Sequence, residues 1–102
     1  MIEYQKLVRD KIPQMIRNAG DMPVTRILDD GEYLVCLENK LDEEVAEFHT
    51  DNNVEELADI LEVVYALAEA DGYSREELNR VCNEKRAERG GFHDRIFLVG
   101  KE

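Results

Sequence analysis

Residues 33–68 read YLVCLENKLDEEVAEFHTDNNVEELADILEVVYALA, and the fold turns on this stretch. Tyr33, Leu34, Leu37, Leu41, Val45 and Phe48 recur at helical spacing and make one apolar stripe. Thr50-Asp51-Asn52-Asn53 reads as a tight turn, because Asp and Asn side chains bond their own backbone there. A broader apolar series follows (Leu57, Ile60, Leu61, Val64, Tyr65, Leu67, Ala68) and predicts a helix over Val54–Ala70. Two long helices joined by so short a turn must lie antiparallel.

The punctuation around this hairpin extends the pattern. Upstream, Asp29 and Glu32 have capping-box spacing and open the first of the two helices, which runs to about His49. Further upstream, Pro13 suits the first turn of a short helix over Pro13–Ala19, and Gly20 stops it. Downstream, Asp71-Gly72 ends the Val54–Ala70 helix. Ser74 and Glu77 open a last helix that stops at Gly90-Gly91. Two apolar runs, Pro23–Leu28 (PVTRIL) and Arg95–Val99 (RIFLV), are rich in strand-forming residues and are expected to pair as a small two-stranded element at residues 23–28 and 95–99. The chain has 102 residues, without repeats or linkers, and reads as a single domain over 1–102. The Val54–Ala70 helix is apolar over more of its circumference than one small domain can cover. The expected fold is therefore mainly α, a helical-hairpin bundle completed by dimerisation.

Charge narrows the function. Acidic residues number 24 against 13 basic ones, a formal net charge of −11. Such a chain repels nucleic-acid polymers and anionic membrane surfaces. No apolar run has the length of about 18 residues needed to span a bilayer, and the opening MIEYQKLVRDK has no apolar signal core, so a cytoplasmic location is expected. Cys36 and Cys82 lack metal or disulfide spacing and read as small packing residues. His49 reads as a turn residue and His93 as exposed. Gly90-Gly91 lacks the Lys and Ser/Thr of a phosphate loop.

The chemistry concentrates in Glu43-Glu44-Val45-Ala46-Glu47 and Glu56-Leu57-Ala58-Asp59. Residues three apart share a helical face, so Glu44 points with Glu47 and Glu56 with Asp59, and the hairpin sets the two pairs opposite each other. At about 100° per residue, Glu44 falls inside the arc of Leu37, Leu41, Val45 and Phe48. Asp59 sits at the border of its helix's apolar face. A carboxylate in such a place is costly unless it is paired or binds a metal. Lys40 stands four residues before Glu44 and could pair with it, and Glu56 could close a capping box with Asn53. For the doubled pairs together, a divalent ion is the better expectation. An all-carboxylate shell without Cys or His favours Mg²⁺, or Mn²⁺, over zinc.

Three motifs in this order resemble the MazG-like, all-α nucleoside triphosphate pyrophosphohydrolases. They are Glu43-Glu44-x-x-Glu47 with Glu56-x-x-Asp59, the opening Tyr4-x-Lys6-Leu7-Val8-Arg9-Asp10-Lys11-Ile12-Pro13, and the closing Lys85-Arg86-Ala87-Glu88-Arg89-Gly90-Gly91-Phe92. The opening is similar to a subgroup labelled phosphoribosyl-ATP pyrophosphohydrolase-like. The resemblance implies a homodimer or larger assembly, and Mg²⁺-dependent cleavage between the α and β phosphates to give a nucleoside monophosphate and pyrophosphate. It implies Glu44, Glu47, Glu56 and Asp59 as metal ligands. Glu43 is implied either as an outer-shell group or as the base that orients water, which makes Glu43, Glu44 and Glu47 the candidate catalytic set. The histidine-biosynthesis members carry an aromatic-His pair a turn after the aspartate, where this chain has Glu62-Val63. That departure favours nucleotide-pool cleansing over phosphoribosyl-ATP hydrolysis.

Phosphoryl transfer needs charge neutralisation, and two basic clusters stand out in so acidic a chain: Lys6/Arg9/Lys11 and Lys85/Arg86/Arg89. Lys85 and Arg89, four apart on one face, are the first candidates to hold phosphates, with Arg9 and Lys6 as helpers. Asn83 is a weaker candidate for a base or ribose contact. The competing class is a non-catalytic helical dimer, a regulator or interaction module whose acids bind a structural cation.

Overall fold

A computed structural model describes residues 1–102 and is all-helical. Its elements are α1 (Ile12–Asn18), α2 (Asp30–Asp51), α3 (Val54–Ala70) and α4 (Arg75–Arg89). None of these helices is long and apolar enough to cross a membrane.

Local chemistry sets the boundaries. Asp29 Oδ1 accepts from the Glu32 N–H at 2.8 Å, and the Glu32 carboxylate accepts from the Asp29 N–H, a reciprocal capping box that starts α2. Asn52 ends α2 in the left-handed region, φ 49°, with its N–H on the Phe48 carbonyl. Asn53 then caps α3 by accepting from the Glu56 N–H at 3.0 Å. The turn is thus narrower than its sequence predicts: Thr50 and Asp51 belong to α2, and Asn52-Asn53 alone make the reversal. A second reciprocal box, Ser74 with Glu77, starts α4.

Packing is concentrated between α2 and α3, where Leu37 and Val63 are the buried apolar residues. α4 touches only α3. Tyr65 donates to Asn79 Oδ1 at 3.1 Å, and Arg75 lies over the Tyr65 ring and 3.5 Å from Glu62. Beyond Leu78 every residue is exposed. The molecule is correspondingly elongated, 62 × 32 × 23 Å.

Three expectations need correction. Residues 23–28 and 95–99 form no strands, and no backbone hydrogen bond joins them. Val24, Ile27 and Ile96–Val99 are exposed in extended segments, and a two-stranded ribbon with no face to cover it is marginal in water. Val45, placed on the apolar stripe by periodicity, is exposed at the edge of the α2–α3 contact. Cys82 is exposed because its half of α4 packs on nothing, so it fills no core; Cys36 is half-buried, and both are free thiols.

Candidate metal centre

The α2–α3 hairpin brings the predicted carboxylates together. Ligand oxygens of Glu44, Glu56 and Asp59 all lie within 4.8 Å of one another, and so do those of Glu43, Glu44 and Glu47. Glu44 belongs to both groups and is the pivot. It sits one helical turn from the half-buried Leu41 and two from the buried Leu37, and it is only 6% exposed. Its carboxyl is pushed above the ordinary carboxylate range, first by burial and then by the charge and hydrogen bonding of Glu47, with Lys40 opposing.

Partners satisfy this centre only in part. Lys40 Nζ lies 3.4 Å from Glu44 Oε1 and 3.5 Å from Glu43 Oε2. Glu44 Oε2 and Glu56 Oε2 are both buried and bonded to nothing in the protein. Asn53 does cap α3, but the Glu56 side chain makes no return bond to the Asn53 N–H; it turns toward Glu44 instead. Two orphaned carboxylate oxygens are what a hard divalent cation satisfies best. Oxygens on an octahedral Mg²⁺ stand about 3 Å apart in adjacent positions and about 4.2 Å across the ion, so the three carboxylates, now within 4.8 Å of one another, would have to draw in around it. Glu47 is exposed and joins the α2 group, so the structure divides the four predicted ligands: three converge from two helices, and Glu47 flanks Glu44.

Cationic residues surround the centre unevenly. Arg9 Nη2 donates to Asp59 Oδ1 at 2.6 Å. Lys6 lines a cavity of about 160 Å³ together with Lys40 and Glu43. Lys85 and Arg89 are exposed on the outer half of α4, and neither makes an ion pair with the carboxylates. Asn83 lines an open groove along α4 with Asn79 and Arg80, apart from the carboxylates. His49 lies in the last turn of α2 and not in the reversal its sequence position suggested, its carbonyl accepting from Asn52 Nδ2, and His93 is exposed. The Arg9–Asp59 pair could not be read from sequence. The only signal was an excess of cations near the start of an acidic chain, which gives no address for them.

No family model matches the chain, and no solved structure matches it. A protein of Mycolicibacterium smegmatis, described as uncharacterized, is 60% identical to it over 42 residues. That stretch is 41% of this chain and 43% of that protein's length.

Proposed function

We propose that the chain is a Mg²⁺-dependent nucleotide pyrophosphohydrolase of the MazG-like kind, acting on a nucleoside triphosphate in nucleotide-pool cleansing. The observation that carries this reading is the convergence of Glu44, Glu56 and Asp59 from two helices, with a buried, unpartnered oxygen on each of the two glutamates. Glu44, Glu56 and Asp59 would hold the ion, with Glu47 beside them. A Mg²⁺, or Mn²⁺, held there would supply charge neutralisation of the triphosphate and acidification of a water. Glu43, paired with Lys40 at 3.5 Å, would either support the ligands from outside or orient the attacking water toward the α-phosphorus. Attack there breaks the bond to the bridging oxygen of the β-phosphate, which leaves as pyrophosphate; the water's proton passes to solvent. Lys6 and Arg9 provide positive charge at the rim, and Lys85 and Arg89 offer more from α4.

The same reading includes a homodimer or larger assembly. The accessible surface is 9222 Å², against about 5,900 Å² for a compact monomer of 11.8 kDa. The radius of gyration is 18.0 Å, against about 13 Å for a compact domain of this length. The excess of about 3,300 Å² per chain is larger than the roughly 1,000–2,500 Å² that each partner of an obligate pair buries, so a large obligate interface would cover much of it. Val54, Leu57 and Leu61 form an exposed stripe on α3 that a second copy would cover.

The test is pyrophosphate release from a panel of ribo-, deoxyribo- and modified triphosphates plus phosphoribosyl-ATP, with Mg²⁺ and with chelator. Metal-dependent release that falls about 100-fold or more in Glu56→Gln and Asp59→Asn is expected. Release unchanged in both variants would refute the carboxylate assignment. Phosphoribosyl-ATP as best substrate would move the role to biosynthesis, and Mn²⁺ binding without any turnover would favour the non-catalytic module.

A further inference from the structure

Residues preceding α1 form no helix, yet they are held against the hairpin at two points. Gln5, with a left-handed φ of 48°, bends the chain so that Gln5, Lys6 and Leu7 line a cavity with Cys36, Asn39, Lys40 and Glu43 of α2. A few residues on, Arg9 reaches α3 and bonds Asp59, fifty positions away. The segment therefore straddles both helices beside the carboxylate centre, with Arg9 as its fastening.

We infer that the Arg9–Asp59 pair is an exchangeable latch: Asp59 releases Arg9 when it takes a divalent cation, and the freed guanidinium turns to the substrate's phosphate. The inference rests on the metal reading above. The physical reason is competition for one group of lone pairs. Asp59 Oδ1 already accepts a charge-assisted bond from Arg9 at 2.6 Å, and a guanidinium and a dication on one small carboxylate repel each other at close range. Lys40 is placed differently. It forms looser ion pairs with Glu43 Oε2 at 3.5 Å and Glu44 Oε1 at 3.4 Å, and leaves the buried Glu44 Oε2 free. Arg9 holds Asp59 at 2.6 Å, against 3.4 Å for Lys40 on Glu44, and is the most closely bound cation on a converging ligand, the one an incoming ion must displace first. The pair is partly exposed, so displacing it is cheap. Phosphate is a better match than water for the fork that is released.

The latch gives Arg9 two effects of opposite sign. Removing it should tighten metal binding and weaken substrate binding, whereas a merely structural role would weaken both. The experiment is a Mn²⁺ titration followed by electron paramagnetic resonance on the full chain. Wild type, Arg9→Gln, Arg9→Lys, Lys11→Gln and Glu56→Gln are compared, each checked for helicity by circular dichroism. Arg9→Gln is expected to bind Mn²⁺ roughly fivefold tighter than wild type, with Lys11→Gln, which removes the same charge two residues away, within about twofold of wild type. Arg9→Lys should fall between them. Hydrogen exchange at residues 4–10 should quicken when Mn²⁺ is added to wild type, and the KM for the best triphosphate should rise in Arg9→Gln. If wild type binds Mn²⁺ in a Glu56-dependent way but Arg9→Gln matches Lys11→Gln or binds more weakly, the latch is overturned and the metal reading stands. If Mn²⁺ binding is missing from wild type, or unaffected by Glu56→Gln, the metal reading and the latch fall together.

Discussion

Leu61→Glu separates a dimer from a monomer more sharply than any substitution in the core. Leu61 is 49% exposed and Leu57 48%, one turn apart on the outward stripe of α3. On a monomer, a glutamate at such a half-exposed helical position costs about 0.5–1 kcal/mol, because Glu is a good helix former and stays solvated. At a two-fold interface the same change appears twice in each assembly, and every copy buries a carboxylate with no partner. Taking about 2 kcal/mol for each desolvated charge gives about 4 kcal/mol per dimer, close to a thousandfold in Kd. Sedimentation equilibrium reads this directly. Wild type is expected at about twice 11.8 kDa or a higher multiple, with Leu61→Glu shifted to the single-chain mass at micromolar concentration while retaining most of its helical signal. The reasoning fails if wild type sediments as one chain and still melts cooperatively. It fails equally if Leu61→Glu keeps the wild-type mass.

Glu44→Gln should raise the melting temperature of the metal-free chain, by about 1 kcal/mol of stability, because it removes a buried charge that Lys40 offsets only in part. Since the Glu44 pKa is raised in the fold, the wild-type penalty is present at neutral pH and fades as pH falls through that raised value, so the gap to Glu44→Gln should narrow on acidification. The same variant should lose the rise in melting temperature that Mn²⁺ gives wild type; a retained rise would remove Glu44 from the ligand set. Arg26 donates to both oxygens of Glu32, and this bond, with the Asp29 backbone N–H, holds the Glu32 carboxyl below its ordinary 4.5. Any contribution from the pair is present above pH 4.5 and lost as pH falls through the lowered pKa. Arg26→Gln should move the Glu32 carboxyl titration in carbon-13 NMR upward, and an unmoved midpoint would refute the pairing.

What the sequence disclosed was local. Asp29 with Glu32 and Ser74 with Glu77 form the reciprocal boxes their spacing predicts, and α3 occupies the expected Val54–Ala70, because a cap is decided within four residues. Glu44 was also legible, since the helical wheel places it among Leu37 and Leu41 whatever the rest of the chain does. Apart from the turn, where α2 runs on through Thr50 and Asp51, the misreadings are non-local. Extended preference in PVTRIL and RIFLV is real, but a strand needs a partner edge, and neither segment meets the other. Glu56 offered two destinations, a return bond to Asn53 or the facing helix, and only the hairpin packing decided between them. Arg9 and Asp59, fifty residues apart, share no local rule at all.

The burial pattern itself argues for chemistry at the hairpin. Only Leu37, Val63 and Glu44 are buried, so an ionisable group holds one of the few sites shielded from water in a chain with little core to spare. Replacing such a group by a leucine of similar size is commonly neutral or stabilising, so stability alone gives no reason for a glutamate there. Lys40 is no sufficient reason either: it holds Glu44 Oε1 at 3.4 Å and divides its charge with Glu43, leaving Glu44 Oε2 orphaned against Glu56 Oε2. A solvated acidic face would have spread these charges apart; the hairpin instead turns Glu56 inward from its capping position and sets Asp59 beside it. Like charges gathered in a half-dry site store repulsion that either a proton, as the raised Glu44 carboxyl shows, or a cation relieves. Arg9 relieves part of it from outside at Asp59, and a divalent ion would relieve the inner part that Arg9 and Lys40 leave. On the proposed reading the cost of the arrangement is tied to its use: the repulsion that weakens the fold would become the affinity of the centre for a divalent ion.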